Sequence, residues 1–124
     1  MRLANLILRV SDLERSARFY RDTLGMREQG RVPGEFVFFD AGGVTLAIRE
    51  MDPVVPGNTE ISFEVADVKS TYESLRGKVK FSQAPRAITG NKASDLYATD
   101  FEDPDGHVLS ITGWVPKSTP SGVD

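Results

Sequence analysis

The sequence contains no cysteine and a single histidine, His107. Without cysteine there is no disulfide, thiol nucleophile, iron–sulfur cluster or thiolate zinc site. With one histidine, no multi-histidine metal site can be assembled within one chain, so a metal would rest on carboxylates, amides and hydroxyls. No apolar run approaches the ~18 residues of a membrane span, so no membrane partner is expected. The first ten residues carry Arg2, Asn5 and Arg9 with no small-residue cleavage site after them, so no secretory signal is expected and the cytoplasm is the simplest location. A basic excess is missing too. Fifteen Lys and Arg face eighteen Asp and Glu, a net charge of -3, which argues against a nucleic-acid partner. What remains is 124 residues, 40% hydrophobic and 27% charged, an ordinary soluble mix long enough for one core.

Hydrophobic periodicity divides the chain. Residues 3–10 alternate as a strand, with Leu6, Leu8 and Val10 on one side and Asn5, Ile7 and Arg9 on the other. Ser11 and Glu14 have the spacing of a capping box for a helix that carries Leu13, Ala17, Tyr20 and Leu24 and ends at Gly25. Strands are predicted at 27–32, 35–41 and 44–50, separated by Pro33-Gly34 and Gly42-Gly43. Residues 52–58 form a linker. A strand at 59–65 leads to Asp67, which caps a short helix with Val68, Tyr72 and Leu75, ending at Gly77. A weak strand at 78–82, a polar loop at 83–94, and strands at 95–102 and 107–114 complete the chain, with Asp103 to Gly106 as a turn. The expected organisation is a single domain at 1–115, with modules at about 1–51 and 58–115, and a flexible tail at 116–124.

The order strand, helix, three strands occurs twice. Asn5 to Tyr20 lies on Glu60 to Leu75 at an offset of 55, and Gly43 to Ile48 lies on Gly106 to Ile111 at an offset of 63. Val10-Ser11-Asp12 falls on Val65-Ala66-Asp67. The fold class expected is therefore α+β, two tandem βαβββ modules forming a cupped mixed sheet with helices on its convex side.

The block from Arg9 to Gly25, with Val10, Asp12, Leu13, Phe19, Tyr20 and Leu24, followed by Phe63 to Asp67 and by Asp103-Pro-Asp-Gly106, resembles the vicinal oxygen chelate superfamily. This group includes glyoxalase I, bleomycin and fosfomycin resistance proteins and extradiol dioxygenases, and the resemblance runs from about residue 3 to residue 114. It implies a substrate cup, often completed by a second chain, and in metal-dependent members four His, Glu or Gln ligands on the first and last strand of each module. Those four positions carry Asn5, Ala47, Glu60 and Ser110 here. Only Glu60 is a firm ligand, and Lewis-acid catalysis needs about three. Glu50 sits three residues beyond Ala47, on the opposite face. The resemblance thus implies no metal cofactor, a divalent ion being disfavoured.

Strand parity gives the expected ligand-binding face. It comprises Asn5, Ile7 and Arg9, then Thr45, Ala47 and Arg49, then Glu60, Ser62 and Glu64, and finally Val108, Ser110, Thr112 and Trp114. Two arrangements fit its charges. Arg9 with Glu64 and Arg49 with Glu60 pair with one another, or they hold a small polar or zwitterionic ligand. In the glyoxalase I branch an Arg at the place of Arg9 contacts a substrate carboxylate. Trp114 is an interface anchor or a stacking surface. The loop at 83–94 is a mobile segment or a cover for the cup. Phe36, Phe38 and Phe39 belong to core or interface, and Asp103, Asp105 and His107 to a structural or solvent-exposed turn. Three functions follow. The first is a metal-free, dimeric small-molecule binding protein, an antibiotic or reactive metabolite being its ligand. The second is an enzyme of the lactoylglutathione lyase, epimerase or dioxygenase kind, with a non-standard metal site or with Glu60 as its catalytic general base. The third is a structural or regulatory homodimer.

Overall fold

A computed structural model describes residues 1–117. The expected tail falls mostly outside these residues. The chain divides into two compact units, Met1–Asn58 with Asp103–His107, and Thr59–Glu102 with the chain from Val108. Each contains a four-stranded mixed sheet and a helix, so the fold is α+β with the βαβββ order repeated.

In the first unit β1 (Asn5–Val10) is followed by α1 (Leu13–Arg18), a π-helical turn (Phe19–Thr23), β2 (Glu28–Val32), β3 (Phe36–Asp40) and β4 (Thr45–Glu50). The sheet order is β1-β4-β3-β2, with β1 and β4 parallel and the rest antiparallel. Alternation puts Leu8, Val10, Val37, Phe39, Leu46 and Ile48 on the face that α1 covers, where they are buried with Leu13, Ala17 and Tyr20. Each large apolar side chain removed from water in this way contributes about 1.5–3 kcal/mol.

The capping expectation is corrected by one residue. Asp12 has extended backbone angles and its carboxylate accepts the Arg15 amide at 3.0 Å, so Asp12 is the N-cap. Glu14 pairs with Arg31 at 2.9 Å instead of closing a capping box, and Glu50 accepts the Leu13 amide at 2.9 Å. Glu50 therefore serves the helix side of the sheet, as its parity implies. Gly25 ends the helical segment with φ 75°, a conformation that glycine adopts at no steric cost.

In the second unit β5 (Glu60–Glu64) precedes α2 (Val68–Leu75), β6 (Arg86–Gly90), β7 (Ser94–Glu102) and β8 (Val108–Pro116). The sheet order β5-β8-β7-β6 repeats that of the first unit. The register repeats too, since Asn5 pairs with Thr45 and Glu60 with Val108, in line with the two sequence offsets. Asp67 caps α2 through the Ser70 amide at 3.1 Å. Val68, Phe101, Leu109 and Ile111 are buried, and Phe81 packs edge-on against Phe101. Two expectations change here. The segment at 78–82 contributes only an isolated bridge from Phe81 to Phe101. Part of the polar segment at 83–94 is the edge strand β6, whose every residue is exposed and which is interrupted by a bulge between Ala87 and Thr89. An edge strand with no buried face has no alternation to read.

The turn joining β7 to β8 belongs to the first unit. Asp103 is buried and accepts the amides of Asp105 and His107, both at 2.9 Å, and the Tyr20 hydroxyl at 2.7 Å. Asp105 accepts the amide and hydroxyl of Ser11 and a contact from Arg15 at 3.4 Å. His107 is 4% exposed, and its Nε2 donates to the Arg9 carbonyl at 2.7 Å. These residues are structural, as expected of a turn, and His107 is buried rather than solvent-exposed.

Candidate functional site

The face opposite the helix in each sheet carries the residues that parity selects. In the first unit Asn5 lies beside Thr45, Ile7 beside Ala47 and Arg9 beside Arg49. Asn5, Ile7 and Arg9 are exposed. Ala47 is fully buried, with Phe38 directly across from it on β3. Phe36 and Phe38 stack with centroids 5.5 Å apart and 8° between planes, and the Arg49 guanidinium lies 5.0 Å above Phe36. This face is thus an aromatic and cationic surface; Phe39 alone of the three phenylalanines belongs to the core.

In the second unit the corresponding face holds a cavity of about 270 Å³. Glu60, Ser62, Ser110 and Thr112 line it from β5 and β8. Because β8 pairs with β7, Asp100 stands beside Ser110 and Ala98 beside Thr112, and β6 adds Arg86 beside Ala98. Ile88 in the β6 bulge, Gln83 and Thr99 complete the wall. Glu64 and Trp114 share this face without lining the cavity, and Trp114 is 47% exposed. Among the described residues no side chain of Glu60, Glu64, Asp100 or Arg86 makes an ion pair or hydrogen bond within its unit, and Arg9 and Arg49 make no ion pair within theirs.

Asp100 was missed by a reading confined to the first and last strand of each module, and Arg86 was read only as part of the loop at 83–94. The signal was present: a short turn after Glu102 fixes antiparallel pairing, so residues two apart on β7 fall beside Val108, Ser110 and Thr112.

A family model described as glyoxalase/bleomycin resistance protein/dioxygenase superfamily matches residues 2–111. The chain belongs to this superfamily. Its relatives include a virulence protein of Salmonella typhimurium, 27% identical over 92% of this chain and 85% of that protein. Among solved structures, a glyoxalase/bleomycin resistance protein/dioxygenase from Nocardioides is similar with a TM-score of 0.76 at 23% identity, covering 100% of this chain and 90% of its own. A lactoylglutathione lyase from Agrobacterium tumefaciens gives 0.71 at 19% identity, covering 90% and 92%. At these identities the likeness establishes the fold alone.

The positions that the sequence resemblance assigns to the ligands of metal-dependent members carry residues that do not fit such a metal. Of Asn5, Ala47, Glu60 and Ser110, Ala47 has no donor atom, Asn5 and Ser110 offer neutral oxygens, and Glu60 supplies the one carboxylate. Among the described residues no three His, Cys, Asp or Glu are grouped to hold an ion, and no helix is long and apolar enough to cross a membrane.

Proposed function

We propose that this superfamily member is a small-molecule binding protein that works without a bound metal and takes a small polar or zwitterionic ligand. The cavity of the second unit carries the reading. Its wall alternates carboxylates and a guanidinium with hydroxyls and the apolar Ile88 and Ala98, the mixed lining that orients a small organic ligand. To test it, the protein is incubated with Ni²⁺, Zn²⁺, Mn²⁺ and Fe²⁺, desalted, and measured for metal. The expected result is far less than one ion per chain. Stoichiometric metal accompanied by lyase or dioxygenase turnover overturns the reading.

A second reading draws on Glu60, which lines the cavity from β5 with its carboxylate unengaged within the unit. In that reading Glu60 acts as a general base on a bound substrate. Full turnover by Glu60→Gln on an identified substrate removes it. The functional form we propose is a homodimer. Its support is the edge strand β1 and the residues before it, which expose Leu3 at 62%, Leu6 at 37% and Ile7 at 56%, an arrangement that favours association of edges. Light scattering is expected to give twice the 13.6 kDa of one chain.

A further inference from the structure

The charges of the second unit's open face are arranged in rows. Ser62, Ser110 and Asp100 stand side by side across β5, β8 and β7. On one side of them lie Glu60, Val108 and Glu102, and on the other Glu64, Thr112, Ala98 and Arg86. Four carboxylates therefore share a face with one guanidinium. None of the five is paired within the unit. Several carboxylates elsewhere are matched: Glu28 by Arg21 and Arg31, Asp40 by Arg27, Asp105 by Arg15. Like charges on adjacent strands repel, and at the cavity wall two carboxylates, Glu60 and Asp100, outnumber the one guanidinium, Arg86, a net negative charge that attracts a counter-charge.

A second observation points into the same cavity. Ser110 is 6% exposed, lines the cavity from the central strand of the row, and its hydroxyl has no partner among the described residues. A hydroxyl on a cavity wall with no protein partner is free to bond a bound molecule, and here it stands between Ser62 and Asp100. A bare metal ion does not satisfy this arrangement. Glu60 and Asp100 are the two carboxylates on the cavity wall, and among the described residues no three His, Cys, Asp or Glu are grouped to hold an ion. A molecule with a cationic head and a carbon body does satisfy it, the body lying against Ile88 and Ala98.

We propose that this cavity is a receptor for a small organic amine, its ammonium group seated over the Ser62–Ser110–Asp100 row and flanked by Glu60. The assignment rests on the binding-protein reading above and narrows its ligand to a cation. The volume, about 270 Å³, falls just under the ~300 Å³ at which drug-sized sites begin, so the amine is metabolite-sized. Arg86 on the β6 side meets any electronegative group at the far end.

The test is titration of the full chain, isotopically labelled for NMR, with 1,4-diaminobutane, ethanolamine, neutral 1,4-butanediol and succinate at matched ionic strength. The amines are expected to give saturable shifts confined to the cavity strands β5, β7 and β8, with affinity falling as salt rises. Affinity is expected to weaken about tenfold or more in Asp100→Asn and severalfold in Ser110→Ala, and to stay unchanged in the control Glu73→Gln. Succinate or butanediol binding there while both amines stay silent overturns the amine assignment and leaves the binding-protein reading standing. Silence towards all four probes overturns both. Mn²⁺ broadening the same resonances and displacing the amines overturns the assignment in favour of a metal site.

Discussion

At the scale of single residues, Tyr20 shows how the turn from Asp103 to Gly106 is held. Its ring is buried against Phe39, and its hydroxyl donates to the buried Asp103 at 2.7 Å. Tyr20→Phe keeps the packing and removes that donor, so urea denaturation at neutral pH is expected to show a loss of about 2 kcal/mol. Burial first, and the Asp103 carboxylate second, push the Tyr20 pKa well above its ordinary value. The folded tyrosine thus stays neutral where the unfolded one ionises. Its contribution is fully present below about pH 10 and is lost as the pH rises further. Comparing wild type with Tyr20→Phe from pH 8 to 11 should show that part of the alkaline decline disappear in the variant. His107 is decided at the same scale. Because Nε2 faces the Arg9 carbonyl it must carry the proton, and Nδ1 is left buried without a partner among the described residues. A lone histidine after a turn is a natural suspect for chemistry, but only its tertiary surroundings show that it is an internal strut.

At the scale of elements, the repeat was the most informative feature of the sequence. It aligned Asp12 with Asp67, and both are N-caps. The S-x-x-E pattern beginning at Ser11 pointed one residue too early, because Ser11 turns its hydroxyl to Asp105 instead. The local motif failed where a contact distant in sequence captured the side chain, whereas the internal alignment held. Gly113 was not legible. A Cβ there would lie 2.9 Å from the Val65 carbonyl and 3.2 Å from the Val68 side chain, so β8 runs too close to the start of α2 for any side chain. Gly113→Ala is expected to destabilise by about 1–3 kcal/mol, which thermal melting would register as a drop of several degrees. β6 was hidden for the opposite reason, since a wholly exposed edge imposes no pattern on its residues.

At the scale of the whole molecule, paired surface charges add to stability on the acid side. Glu28 is held below the usual carboxylate range first by its hydrogen bonds from Arg31, and Asp40 first by the Gly42 amide and then by Arg27. Lowered folded values mean that the unfolded chain binds more protons in acid. The contribution is present above about pH 4 and is lost as the pH falls through the folded values. Urea midpoints between pH 6 and 3 are expected to decline, and Arg31→Gln should flatten the decline with an effect that salt diminishes. The sequence by itself determined the α+β class, the doubled βαβββ order, the correspondence between the two modules given by its two offsets, and the poor metal donor set, because hydrophobic period and residue chemistry are local properties. The sequence resemblance supplied the positions at which that donor set is read. The tertiary structure alone showed Ala47 fully buried, and it alone revealed that the carboxylates beside Ser110 have no partner within their unit. Those facts depend on which strands become neighbours and how closely their side chains pack, and pairing across a sheet is settled only when the whole sheet has formed.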